Sequence, residues 1–420
     1  MSEYLTDGEE KTKRLKAVID ALAAGTSPDK VKKEFHELIK GASATEVAAM
    51  EQSLIAGGMP VEEVMKLCEI HADVFREGLE KAKPGKTLPG HPVHTFLAEN
   101  KEARKHVRAL LTRAWFGDSE KLKEAVDALR PIIIHYERKE NQLFPFLEQR
   151  GFTGPSKVMW GKHDEIREKF REIDTAFSLG SLKTARSLAK DLARRIRMMI
   201  FMEEKILFPN ALKKLTNRDW VQIRNGESAI GYAWVKPGAE WDAGLVSNMP
   251  DQQDQNRVPA ETHSTSASKT NEENLAMDNR TPLAPETPIP LSVGSLPLSY
   301  LDGILKMLPF DISFVDANDK VMYYSDSPHR VFPRSPAIIG RAVQNCHPPK
   351  SVATVEKILE AFRKKEKDKA EFWIEMNGKF IYIAYKPLYD ASGTYLGTLE
   401  MSMDATELRA LRGQRRLLDW

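Results

Sequence analysis

His135-Tyr-Glu-Arg-Lys-Glu140-Asn-Gln-Leu-Phe-Pro145 places an imidazole five residues before a carboxylate and closes on Leu-Phe-Pro. On a helix, five residues turn about 140°, so the two side chains can approach one centre from different sides. Imidazole nitrogen and carboxylate oxygen are the donor types that transition metals take from proteins, and a carboxylate can bridge two such ions. The alternative is a polar pair at a helix end near solvent. The pattern has an echo in Met199-Ile-Phe-Met-Glu-Glu204-Lys-Ile-Leu-Phe-Pro209. There Glu204 stands for Glu140 and Met199 for His135, with Glu203 as an alternative one residue away. An internal repeat of this kind takes precedence in reading a chain.

The segments ahead of these blocks repeat as well. His91-Pro-Val-His94 opens a helical run that reaches Asn100 and Arg104, and Pro155 opens another that reaches His163-Asp-Glu-Ile-Arg167. Aligning Pro92 with Pro155 sets Asn100 against His163 and Arg104 against Arg167. The spacing therefore predicts a helix pair followed by its copy, a four-helix bundle with a pseudo-two-fold axis. Inward-facing carboxylates and histidines are how such bundles hold paired metal ions.

With His135 and Glu140, His163-Asp-Glu-Ile-Arg167 and the two Leu-Phe-Pro closures, residues 90–210 resemble the hemerythrin-like cation-binding family. That resemblance implies a non-haem di-iron centre and carries it onto His135, Glu140, His163 and Glu204. Three positions depart from the family. Asn100, Met159 and Met199 stand where it has histidines, and the methionines read as core residues because a thioether does not suit hard iron. His91 and His94 are the candidates for restoring nitrogen ligands. Each can equally cap a helix or face water.

The rest of the chain must position or read this site. Residues 1–83 read as a small helical domain of four short helices, resembling a domain of unknown function found ahead of hemerythrin-like bundles. The bundle domain spans 90–230, its second helix kinked at Pro131 and a further helix from Thr216 carrying Trp220 and Ile223. Residues 240–292 are rich in Asn, Gln, Asp, Ser, Thr and Pro and poor in large apolar residues, a composition that builds no core and reads as a disordered tether. Residues 293–412 return to order: a helix, a strand over 310–316, a turn at Asp316-Ala-Asn-Asp319, a second strand, a helix and a three-strand meander with Asn377-Gly378 as its hairpin signal. That order, with Gly393-Thr-Tyr-Leu-Gly397, resembles a PAS sensor domain. The fold class expected is thus multidomain, all-α in its N-terminal part and α+β at the end. Within the last domain, His347 in Cys346-His-Pro-Pro349 is either a haem axial ligand or a loop residue held by two prolines.

Composition narrows the functional classes. Lys and Arg total 62 against 60 Asp and Glu, a net charge of +2, which gives no electrostatic reason to expect nucleic acid or an anionic membrane. The cysteines, Cys68 and Cys346, match no zinc spacing and fit a reducing, cytoplasmic setting. No apolar run nears the ~20 residues a bilayer requires. Walker, dinucleotide-binding and nucleophile-elbow patterns do not occur. The reading is a cytoplasmic sensor or regulator in which a di-iron bundle meets oxygen, nitric oxide or another redox ligand. Its PAS domain would serve sensing, homodimerisation or an unidentified protein partner. The alternatives are a di-iron enzyme reducing oxygen, peroxide or nitric oxide, and a metal-free interaction protein. From the composition of residues 240–292 we expect limited proteolysis of the full chain to cut there first. First cuts inside 90–230, identified by mass spectrometry, would contradict the compositional reading.

Overall fold

The computed structural model describes residues 87–246 and 288–414, apart from His329 and Asn377, together with isolated positions between 17 and 65. Most of the small helical domain expected over 1–83, and most of the tether expected over 240–292, lie outside the described residues. The chain divides into two compact units, residues 1–249 with 333–356, and residues 250–332 with 357–420. It is multidomain, helical in its first part and α+β in its last.

The first unit is a helical bundle. Helix α1 (Pro92–Phe116) starts with proline at its first position, where no N–H is needed. It buries Val93, Phe96, Ala103, Val107 and Leu110 at helical spacing. The second helix is broken at Pro131 rather than merely kinked. It becomes α2 (Ser119–Leu129) and α3 (Ile132–Arg138), and runs on through a π-helical turn over Lys139–Leu143 into α4 (Phe144–Gln149). Next come α5 (Gly154–Ser178) and α6 (Leu182–Met202), then a second π turn over Glu203–Leu207 and α7 (Phe208–Lys214). Helix α8 (Asn217–Ile230) opens on a capping box between Thr216 and Asp219, and it buries Trp220 and Ile223.

The π turns have a cause in the sequence. Pro145 and Pro209 lack the N–H that would continue the ladder of α-helical bonds. Each is preceded by a residue that bonds five positions back, Phe144 N–H to the Lys139 carbonyl and Phe208 N–H to the Glu203 carbonyl. The two Leu-Phe-Pro closures thus mark two wide turns, and Lys139 and Glu203 open them at equivalent places of the repeat.

The second unit carries helix α9 (Leu298–Met307) and a five-stranded antiparallel sheet. Its strands are β1 (Asp311–Asp316), β2 (Val321–Tyr324), β3 (Ala370–Met376), β4 (Lys379–Tyr389) and β5 (Tyr395–Asp404), in the order β2-β1-β5-β4-β3. Helix α10 (Pro349–Arg363) spans the boundary between the units and ends in the second, where Leu359 and Phe362 are buried. Met376 pairs with Lys379 across the expected hairpin, and Gly378 has φ +75°. The turn after β1 is held by Asp316, whose Oδ1 accepts the N–H groups of Asn318 and Lys320.

Gly397 has φ +152°, and a Cβ there would lie 2.2 Å from the Val315 carbonyl oxygen on the neighbouring strand. We therefore expect Gly397→Ala to destabilise the sheet by more than about 1 kcal/mol. The check is peptide-resolved hydrogen exchange, which should accelerate in 311–316 and 395–404 and stay unchanged in the bundle.

Candidate functional site

The bundle interior holds a chain of charged groups. His135 lies near the end of α3 with no exposure to solvent. Its Nδ1 is 2.7 Å from Glu99 Oε2, and its Nε2 is 3.2 Å from Glu203 Oε2. Glu99, on α1, also accepts both arms of the Arg138 guanidinium at 2.9 and 2.6 Å and the Ala233 N–H at 2.7 Å. Burial works against that carboxylate, but His135 and Arg138 outweigh it and hold Glu99 below the usual range. Arg138 lies over the Phe96 ring at 4.3 Å and reaches Glu227 Oε1 at 3.1 Å. Burial pushes Glu227 up to about 7.

Lys139 crosses the middle of this chain and is fully buried. Its Nζ donates to Glu203 and lies 3.0 Å from His163 Nε2. It also sits 4.5 Å from the centroid of the Tyr136 ring, which stacks on His163 at 4.1 Å. His163 Nδ1 is 2.7 Å from Glu140 Oε1, and the other oxygen of Glu140 accepts Arg167 Nη2 at 2.7 Å. These partners assign His163 as the neutral tautomer, Nδ1–H toward Glu140 and the Nε2 lone pair toward Lys139. Burial, with Lys139 and Arg167 nearby, holds its pKa well below the ordinary imidazole value. Glu203 is shifted down: burial opposes its charge, but Lys139 and His135 overcome that cost.

The repeat explains the pairing. Glu140–Arg167 has a counterpart in Glu204–Arg104, also at 2.7 Å. Lys139 and Glu203, equivalent within their two blocks, face one another. The structure thus brings His135, Glu140 and His163 together as the sequence suggested, but substitutes Glu203 for Glu204. Glu204 remains 15% exposed at the rim beside Arg104, whereas Glu203 is wholly buried. His91 and His94 do not restore a ligand set. His91 Nδ1 caps α1 by accepting the Val93 N–H, and its ring packs on Trp220 and Trp241. Burial and neighbouring His94 lower His91 to about 4. His94 is half-buried on α1. Met159 and Met199 are core residues. His347 follows a short 3-10 turn in the segment that groups with the bundle rather than with the sheet.

Glu99, Arg138 and Lys139 are the members that the sequence did not mark, and Glu203 is the one it offered as the alternative to Glu204. The signal available was Arg138-Lys139, two cations placed directly between the histidine and carboxylate of the first block.

Comparison with known families agrees with the architecture. Residues 91–211 match the hemerythrin HHE cation binding domain, residues 15–81 a family of unknown function, DUF438, and residues 301–406 a PAS domain. The chain thus carries, in order, a stretch similar to DUF438, a stretch similar to the hemerythrin HHE domain and a stretch similar to a PAS domain. Among solved structures, the chain is similar to a C-terminal domain from Streptococcus mutans, at 36% identity over 30% of this chain and 98% of that one, TM-score 0.29. It is also similar to the PAS domain of Bordetella pertussis BvgS, at 17% identity over 27% and 92%, TM-score 0.22. A sensory box sensor histidine kinase from Vibrio cholerae aligns at 15% identity over 26% and 90%, TM-score 0.21. No curated protein matches the chain.

The cation that the family implies can be tested against these side chains. A di-iron centre needs free imidazole lone pairs and carboxylates not already neutralised. Here the His163 lone pair and Glu203 are engaged by Lys139, Glu99 by Arg138, and Glu140 by Arg167. Among the described residues, no group of three or more His, Cys, Asp or Glu is arranged to hold a metal ion. As arranged, these residues do not fit a di-iron centre. The network also sets a stability difference between adjacent residues. Removing one partner of a buried pair costs about 3–5 kcal/mol, while a partly exposed pair contributes below about 1 kcal/mol. We expect Glu203→Gln to lower unfolding free energy by the first amount and Glu204→Gln by no more than the second, measured by urea denaturation followed by circular dichroism.

Proposed function

We propose that this protein is a sensor or regulator in which residues 333–356 read the bundle's charge network and pass its state along the chain to the sheet unit. The coarser statement stands on the domains themselves, since hemerythrin HHE and PAS domains together mark a signalling protein. One observation supports the finer reading. Pro145 has no N–H to offer the Glu140 and Asn141 carbonyls, five and four residues back. Residues 333–356 supply replacements: Arg341 Nη1 donates to the Glu140 carbonyl at 3.3 Å, and Ser335 Oγ to that of Asn141 at 2.6 Å. The same Arg341 forms a two-armed pair with Glu148, both at 2.8 Å, and lies 5.4 Å from the Trp160 ring centroid. Ala337 joins the bundle core.

The backbone of Glu140 is thus held by this segment while its side chain anchors His163. A change in the network that moves the π turn must move these contacts, and residues 333–356 include the first half of α10, after which the chain continues to β3. The enzyme reading depends on a metal pair that the side chains do not fit, and we do not adopt it. Division of the chain at 1–83, 90–230, 240–292 and 293–412 belongs to the same proposal. So does self-association through the apolar residues Phe372, Trp373 and Ile374 exposed on edge strand β3. For the relay, hydrogen exchange on the full chain should show Arg341→Gln speeding exchange in 139–149. Glu203→Gln should alter exchange in 333–356 and in 311–324. Faster exchange in the bundle with 333–356 and 311–324 unmoved would refute the relay.

A further inference from the structure

The two histidines are oriented as metal ligands are, yet they do not point at a vacant place. Each donates through Nδ1 to a carboxylate, His135 to Glu99 and His163 to Glu140, both at 2.7 Å. This carboxylate–histidine pairing normally fixes a ligand ring with its other nitrogen toward an ion. Here the other nitrogen of His163 meets Lys139 Nζ at 3.0 Å, and that of His135 meets the Glu203 carboxylate that Lys139 binds. The cation that meets both His163 and Glu203 is therefore the ammonium of Lys139.

We propose that Lys139 is a built-in replacement for the metal ion, so that this bundle is loaded permanently by its own side chain. Three observations converge. Lys139 and Glu203 occupy equivalent positions of the two π turns, so the repeat would otherwise set two like residues against each other. The face of Tyr136 lies against the ammonium and shields it from water. The carboxylates beyond Glu203 are met by guanidinium groups, Glu99 and Glu227 by Arg138 and Glu140 by Arg167, so each has a cation at hand without a divalent ion. A metal would have to displace a tethered ammonium and enter beside two fixed arginines.

The proposal is independent of the relay through residues 333–356, which concerns backbone carbonyls and is tested by hydrogen exchange. Its own test is metal content and metal-dependent melting of the full chain. After anaerobic incubation with ferrous iron or cobalt(II) and desalting, the unmodified protein should retain less than about one-tenth of an ion per chain. Its melting temperature should be the same in chelator and in cobalt(II). In Lys139→Glu, two carboxylates face each other beside two imidazoles, a donor set suited to one divalent ion. That variant should bind about one cobalt(II), show its visible absorption bands, and melt about 5 °C or more higher with metal than in chelator. Lys139→Ala, which removes the ammonium without adding charge, should also gain cobalt(II). Stoichiometric metal in the unmodified chain would overturn the proposal, and so would folded variants that gain none. If neither variant folds, the unmodified chain decides alone.

Discussion

A buried charge must be matched where it lies, because water is not available to do it. Moving one ion into a protein interior costs several kcal/mol even after relaxation, and this bundle buries Glu99, His135, Arg138, Lys139, Glu140, Glu203 and Glu227 together. Lys139–Glu203 is the contact on which that grouping turns. It joins the two halves of the repeat across the core, leaves His163 neutral, and gives His135 a second carboxylate. Helix pairs that would otherwise meet through interchangeable apolar contacts are fixed in one register by it.

Local backbone chemistry makes the contact possible. An unbroken α-helix would have carried Lys139 and Glu140 past the core at different angles. The proline at the end of each closure withholds an N–H and a wide turn precedes it, and in the first closure the Glu140 and Asn141 carbonyls take donors from elsewhere in the chain. One sequence feature therefore serves both the interior and the surface where Arg341 and Ser335 attach. That attachment resembles a helix cap in its physics: donors from another segment satisfy acceptors that the helix cannot.

Much of this could be read from the sequence. The repeat pointed to the bundle, Pro131 to a kink where the structure has a break, Thr216 to the start of a further helix, and Asn377-Gly378 to the hairpin. His135, Glu140 and His163 were found because histidine and carboxylate at such spacing are conspicuous. Glu203 was displaced by one residue because the alignment of the blocks is set by Leu-Phe-Pro, which pairs Glu204 with Glu140; only the three-dimensional turn shows which glutamate faces inward. Glu99, two turns from His91 on α1, had no pattern to mark it. Arg138 and Lys139 were passed over since basic residues usually lie at the surface, and nothing local announces that an ammonium is buried. Arg341 lies about two hundred residues along the chain from its partners, a pairing that no periodicity reports.

The first compact unit is discontinuous: the chain leaves it at residue 249, contributes strands to the other unit, and returns at 333 before leaving again at 356. Such threading changes what a domain boundary means. A fragment ended in the Pro-rich stretch near residue 290 would strip Glu148 of its guanidinium and leave the Asn141 carbonyl bare. A fragment begun there would carry Arg341 away with no carboxylate to meet it. Bundle and sheet are consequently not beads on a string that recombination could exchange one at a time. A sequence that borrowed a new PAS domain over 301–406 would replace Ser335 and Arg341 with it, and Glu148 and the Asn141 carbonyl would need new partners from the newcomer.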